Sequence, residues 1–221
     1  MDYFVDNLLI QSTFFLKIGN TTGTCFALTK SNVQYLITAA HCVKGHKHLE
    51  EIEIELFHDE TWKKVRGALH LHKNANIDIA VVKLSSFIAP VFEIDIHARV
   101  LLGQDVFFLG FPYGLHSGND LDRNFPIPFI KKAVFSAAVN DPITGIIQFL
   151  DGHNNKGFSG GPVGYYDIKQ QKTFIVGVIS GYIPQQGEID TPIGKLFYNE
   201  NSGIILTYSI KHADEIINEI K

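Results

Sequence analysis

A chain of 221 residues with 45% hydrophobic and 19% charged side chains is long enough to bury a substantial core, and this balance excludes a disordered protein. Its 19 Lys and Arg are scattered and outweighed by 23 Asp and Glu, for a net charge of −4, which excludes the basic footprint of a nucleic-acid binder. The start, Met1-Asp2-Tyr3-Phe4-Val5-Asp6, lacks the basic lead and apolar run of a secretory signal, and no stretch reaches membrane-spanning length, so a cytoplasmic protein without membrane contact is expected.

Short apolar runs bounded by Gly, Pro, Asn and Asp predict a mostly β protein. The expected strands are Phe14 to Ile18, Cys25 to Thr29, Tyr35 to Ala39, Ile52 to Phe57, Ile79 to Leu84, Asp105 to Gly110, Lys132 to Val139, Ile146 to Leu150, Phe174 to Ser180 and Ile204 to Thr207. Alternation is strict in Glu51-Ile52-Glu53-Ile54-Glu55-Leu56, which predicts Ile52, Ile54 and Leu56 facing the core and the glutamates facing water. An irregular run with Pro90, from Phe87 to Leu101, divides the early strands from the later ones. Tyr113 to Pro128 and Pro184 to Ser202 are expected to be loops, each either a rim over a substrate site or a plain surface connection. Ala213, Ile216, Ile217 and Ile220 recur at helical spacing, which predicts a C-terminal α-helix over 209–220 with Ser209 as its N-cap.

The two cysteines, Cys25 and Cys42, form either one disulfide or two reduced thiols, and a cytosolic compartment favours the reduced pair. Among ten histidines, His70 and His72 share a strand face, but a third ligand is not evident, so neither metal nor other cofactor is expected. Most of the 17 Phe residues read as core, with Phe107, Phe108 and Phe111 as candidate walls of a cleft.

The chemistry lies in three segments. A serine hydroxyl attacks a carbonyl at neutral pH only with a base to take its proton, a group to orient that base, and donors for the oxyanion. Thr38-Ala39-Ala40-His41-Cys42 supplies a base, Asn76-Ile77-Asp78-Ile79-Ala80 a carboxylate, and Gly157-Phe158-Ser159-Gly160-Gly161-Pro162 a nucleophile in a glycine-rich turn. These segments, with Gly23-Thr24-Cys25-Phe26 and Leu109-Gly110-Phe111-Pro112-Tyr113-Gly114, resemble the chymotrypsin and trypsin-like serine peptidases, the last of them as found in bacterial and degradative members.

The resemblance covers nearly the whole chain and implies a single peptidase domain over 1–221. Two six-stranded antiparallel β-barrels, roughly 10–90 and 100–208, would place the active site between them. It implies that His41, Asp78 and Ser159 are the catalytic triad and that the N–H groups of Gly157 and Ser159 form the oxyanion hole. Ser180-Gly181-Tyr182 resembles the segment that pairs with the substrate backbone, with Ser180 also placed to bond Asp78. His153, six residues before Ser159, resembles the floor of the primary specificity pocket, where its lack of negative charge disfavours Lys and Arg and points to an uncharged side chain. Phe158 stands where zymogen-activated members carry an Asp, so activation by a freed amino terminus is not expected. The site is then formed from the start or controlled by a partner protein or ligand.

Three readings follow: a serine endopeptidase acting on a peptide or protein; a catalytically silent module binding extended peptides by strand addition; and an esterase or acyl transferase on the same triad.

Overall fold

The computed structural model describes residues 5–93, 99–117 and 125–220. Six strands build a first closed barrel: β1 (Thr13–Ile18), β2 (Thr21–Lys30), β3 (Val33–Thr38), β4 (Glu51–His58), β5 (Thr61–Leu71) and β6 (Ala80–Leu84), in the order β1-β2-β3-β6-β5-β4. Two-residue turns close its hairpins. Ser31 and Asn32 between β2 and β3, and Asp59 and Glu60 between β4 and β5, all have positive φ, the twist that matches right-handed strands. The alternation in β4 holds, with Ile52, Ile54 and Leu56 buried.

The sequence pattern misses β5 for a physical reason. Its first half, from Trp62 to Arg66, lies largely in solvent, so apolar periodicity is absent, and it is held to β4 by backbone pairing and by Lys64 and Arg66 on Glu53 at 2.6 and 2.9 Å.

The second closed barrel comprises β7 (Asp105–Gly110), β8 (Phe129–Asp141), β9 (Gly145–Asp151), β10 (Pro162–Asp167), β11 (Lys172–Thr191) and β12 (Gly194–Ser209), in the order β10-β11-β12-β9-β8-β7. Strand β10 was also hidden, because Pro162 opens it and Gly164 sits at a register shift against β11. The segment expected as a loop from Pro184 to Ser202 is instead a two-stranded ribbon, formed where β11 and β12 run on beyond the barrel with pairs from Pro184↔Asn201 to Thr191↔Gly194.

Helix α1 (Asn7–Gln11), not read from the sequence, is capped by Asp6, whose carboxylate accepts the Leu8 N–H at 2.8 Å. Helix α2 (Lys211–Glu219) starts later than expected. Ile210 is its N-cap residue and already has helical backbone angles, while Ser209 ends β12 and accepts only a long 3.4 Å bond from the Lys211 N–H. Among the described residues no helix is long and apolar enough to cross a membrane.

One apolar cluster joins Phe26, Ile37, Ile79 and Val81 of the first barrel region to Leu109, Val178 and Tyr208 of the second and to Ala213 and Ile217 of α2. Burying this seam fixes the barrels against each other, and the site lies along it. Phe107, Phe108 and Phe111 do not wall a cleft; all three are buried in packed interiors.

Candidate active site

The first barrel positions an imidazole and a carboxylate. His41 lies in the short turn Ala40–Val43 that follows β3, and Asp78 lies two residues before β6, which pairs with β3. The pairing brings the two together. His41 Nδ1 and Asp78 Oδ2 are 2.7 Å apart, and the His41 backbone N–H donates to Asp78 Oδ1 at 2.8 Å. The Nδ1 bond orients the ring so that its Nε2 edge faces away from Asp78. The Asp78 hydrogen bond, with a further contribution from Cys42 and against burial, pushes the His41 imidazole up to about 10.

The second barrel completes the carboxylate's partners. Ser180 on β11 donates its hydroxyl to Asp78 Oδ2 at 2.6 Å. The loop carrying Asp78 is tied down elsewhere too: Tyr208 of β12 donates to the Asn76 carbonyl at 2.9 Å, and Asn74 and Asn76 donate to the Ile143 carbonyl at 2.6 and 3.3 Å.

Ser159 sits in a turn wedged between the barrels. Thr24 N–H donates to the Ser159 carbonyl at 2.8 Å, and Gly160 N–H donates to the Ile179 carbonyl at 2.7 Å. Gly160 has φ of 85°, and a Cβ there would fall 2.1 Å from the Thr24 carbonyl oxygen, so only glycine lets the turn approach so closely. The Ser159 hydroxyl donates to the Ser180 carbonyl at 3.1 Å; among the described residues it makes no bond to His41.

Gly157 has φ of 105° and a Cβ there would fall 2.1 Å from the Phe111 carbonyl oxygen. The Lys156 carbonyl accepts the Tyr113 N–H at 2.8 Å, and because a trans peptide points its C=O and N–H in opposite directions, the Gly157 N–H is turned away from Tyr113. Among the described residues, neither the Gly157 N–H nor the Ser159 N–H donates to a protein acceptor.

Thr24 is a component that sequence reasoning placed only in a motif. Its hydroxyl donates to the Gly157 carbonyl at 2.7 Å and accepts the Phe111 N–H at 3.2 Å, fixing the turn to the segment after β7. Phe158 is fully buried and packs edge-on to Phe108 with ring centroids 4.9 Å apart. Lys131 lies 5.8 Å from the Phe158 ring centroid, and its ammonium donates to the His153 carbonyl and to Asn155 Oδ1, stapling the segment between β9 and the turn. His153 itself is exposed, Gly181 faces open space, and Tyr182 is partly exposed beside it.

Cys25 and Cys42 are free and buried, and burial pushes the Cys25 thiol above its ordinary range. The pair His70 and His72 separates: His70 packs on His48, while His72, His212 and Glu215 bring ligand-type atoms within 4.8 Å of one another. The ring nitrogens argue against a metal there. His72 Nδ1 accepts the Asn74 N–H at 3.0 Å and His212 Nε2 accepts the Ile146 N–H at 2.8 Å, so the opposite nitrogens carry hydrogens and donate to Glu215. A ligating histidine needs an acceptor behind it, and here both find a donor.

A sequence profile of the trypsin-like peptidase domain matches residues 23–172, more than half of the chain and all three segments that carry these groups. The chain belongs to the trypsin-like peptidase family. A curated relative, chloroplastic protease Do-like 1 of Arabidopsis thaliana, is 27% identical over 168 residues, covering 72% of this chain and 35% of its own length. The chain thus spans about a third of that relative. Among solved structures, the serine endoprotease of Yersinia pestis superposes with a TM-score of 0.62 at 17% identity over 96% of this chain and 64% of that one. The HtrA-type protease AlgW with a tripeptide gives 0.61 at 18% over 97% and 61%. The inactive form of the Rv3671c protease, from M. tuberculosis, gives 0.60 at 17% over 96% and 90%. At these identities the structural likeness carries the fold.

Proposed function

We propose that the chain is a serine endopeptidase in which Ser159 is the nucleophile, His41 the general base and Asp78 the group that orients it. The single observation that carries the reading is the His41–Asp78–Ser180 hydrogen-bonded array lying across the barrel seam beside Ser159. Rotation of the Ser159 hydroxyl from the Ser180 carbonyl toward His41 Nε2 would pass its proton to the imidazole as Oγ attacks the scissile carbonyl. Asp78 keeps the proton on Nδ1 and stabilises the imidazolium; the proton then goes to the leaving amine, and water hydrolyses the acyl-enzyme by the same route.

The unengaged N–H groups of Gly157 and Ser159 suit an oxyanion, and each donor is worth about 3 kcal/mol in the transition state. Ser180, Gly181 and Tyr182 present the substrate-pairing edge, and His153, at the position of the specificity-pocket floor and exposed, brings no fixed negative charge to it. Phe158, buried among aromatic and aliphatic neighbours, offers no carboxylate to a freed amino terminus, which supports a site not switched by zymogen cleavage.

The resting bond from Ser159 to the Ser180 carbonyl favours a second reading, a latent or silent peptide-binding module. Incubating wild type and Ser159→Ala with an unfolded protein, and reading fragments by mass, separates the two. Fragments from wild type alone support the peptidase; binding by both without fragments supports the module.

A further inference from the structure

The longest strand, β11, does not end with the barrel. One of its edges is covered by β10 only as far as Val178, after which Gly160 and Gly161 bond Ile179 and the Ser159 hydroxyl bonds the Ser180 carbonyl. Among the described residues, β11 from Gly181 onward is paired on its other side alone, by β12, and continues to Thr191. The edge that passes Ser159 therefore runs on, open, for roughly 35 Å at about 3.3 Å per residue.

The middle of the ribbon is more apolar on one face than on the other. Register places Gly187 opposite Tyr198 and Ile189 opposite Leu196, with Tyr198 lying over the bare Gly187 backbone. Tyr198, Ile189 and Leu196 are 41, 52 and 57% exposed. The other face carries Gln186 opposite Asn199 and a Glu188–Lys195 ion pair, with one exposed ring, Phe197, opposite Glu188. An isolated two-stranded ribbon is marginal in water, and an open edge with an apolar face is a template for another strand.

We propose that the β11 edge beyond Tyr182 docks unfolded polypeptide, whose segment N-terminal to the scissile bond joins the ribbon as a third strand. The proposal deepens the peptidase reading and rests on Ser159 marking the scissile bond. The occupant follows from continuity, because the open edge is an extension of the strand that touches Ser159. Every strand pair of both barrels is antiparallel, and a strand added to β11 in that sense ends its C-terminal side at Ser159. Alternate side chains of the docked segment would share the face of Tyr198, Ile189 and Leu196, so the fitting sequence places apolar residues at alternate positions on that side.

The test uses two peptides that share the residues around the scissile bond, one stopping four residues before it and one extended by eight alternating residues. Replacing 185–200 by an Asn-Gly turn shortens the ribbon while keeping the Pro184↔Asn201 pair, and I189K/L196K alters the apolar face of an intact ribbon. Wild type should favour the long peptide in kcat/KM by roughly tenfold, as expected for a few added main-chain bonds, and both variants should lose that preference while cleaving the short peptide as before. Equal use of both peptides by wild type, or a preference that survives in both variants, overturns the proposal. Affinity of the long peptide for Ser159→Ala, read by fluorescence anisotropy, needs no turnover: length-dependent binding without cleavage by wild type would count against the peptidase reading and for the docking strand. A dimer in sedimentation that the shortened ribbon abolishes, with length preference unchanged, overturns the proposal in favour of a second copy.

Discussion

Ser180 of the second barrel donates its hydroxyl to Asp78 of the first at 2.6 Å, on the same carboxylate oxygen that faces His41 Nδ1. The carboxylate thus receives the His41 backbone N–H, the imidazole and a hydroxyl from across the seam, so its position reports the register of the two barrels. A hydrogen bond to a charged group is worth about 1.5–3 kcal/mol. Ser180→Ala is expected to lower kcat by roughly tenfold with little change in KM, since it acts on the orientation of His41 rather than on substrate. Steady-state kinetics that show a raised KM at unchanged kcat would remove Ser180 from this role.

The pH dependence follows from His41. Its folded-state value, pushed up to about 10, lies above the ordinary 6.5, so the His41–Asp78 bond contributes stability that is complete below pH 6.5 and is lost as pH rises through about 10. The side chain is 45% exposed, so solvent screening keeps the contribution modest. The gap in Tm between wild type and His41→Ala should narrow from pH 6.5 towards 10. A general base must be neutral, so kcat/KM should climb over the same interval. A rate already flat above pH 7 would contradict the strength of this pairing.

Much of this site was legible because its parts sit in contiguous motifs. The order of His41, Asp78 and Ser159 is written in three short segments, and β4 is written in its strict alternation. What was not legible depends on contacts between distant residues. Thr24 bridging Gly157 and Phe111, Tyr208 reaching Asn76, and Lys131 holding the His153 carbonyl are set by barrel register, which no local pattern encodes. Strand β5 and the ribbon of β11 and β12 were missed because strands wet on both faces have no apolar period to read. Ser209 was misjudged as a cap because β12 extends through it before the chain turns helical at Ile210.

Phe158 is fully buried beneath Ser159 in the turn. Phe158→Ala should cost about 3–5 kcal/mol of stability by leaving a cavity under the Ser159 turn. Urea unfolding would read this as a lower midpoint at unchanged slope, and a loss under 1 kcal/mol would mean the turn does not depend on this packing.

Glu215 accepts from both His72 and His212, and His212 is buried. Glu215→Ala leaves a buried ring N–H without an acceptor and should cost about 1–3 kcal/mol, with Glu215→Gln losing less because an amide oxygen still accepts. Titration with Zn²⁺ should show no stoichiometric site; tight binding lost in His72→Ala would reassign the cluster to a metal.

Gly157 cannot carry a side chain without meeting the Phe111 carbonyl. Under the proposed oxyanion role of its N–H, Gly157→Ala is expected to turn the peptide and lower kcat by about a hundredfold or more, while circular dichroism stays that of the folded chain.

Intact mass after incubation with a fluorophosphonate, with Ser159→Ala and His41→Ala run alongside, tests the central claim most directly. One adduct on wild type, absent from Ser159→Ala and strongly slowed in His41→Ala, is the expected result. No adduct on wild type at any pH between 7 and 10, in a folded sample, would contradict an activated Ser159 and leave the chain a peptide-binding member of its family.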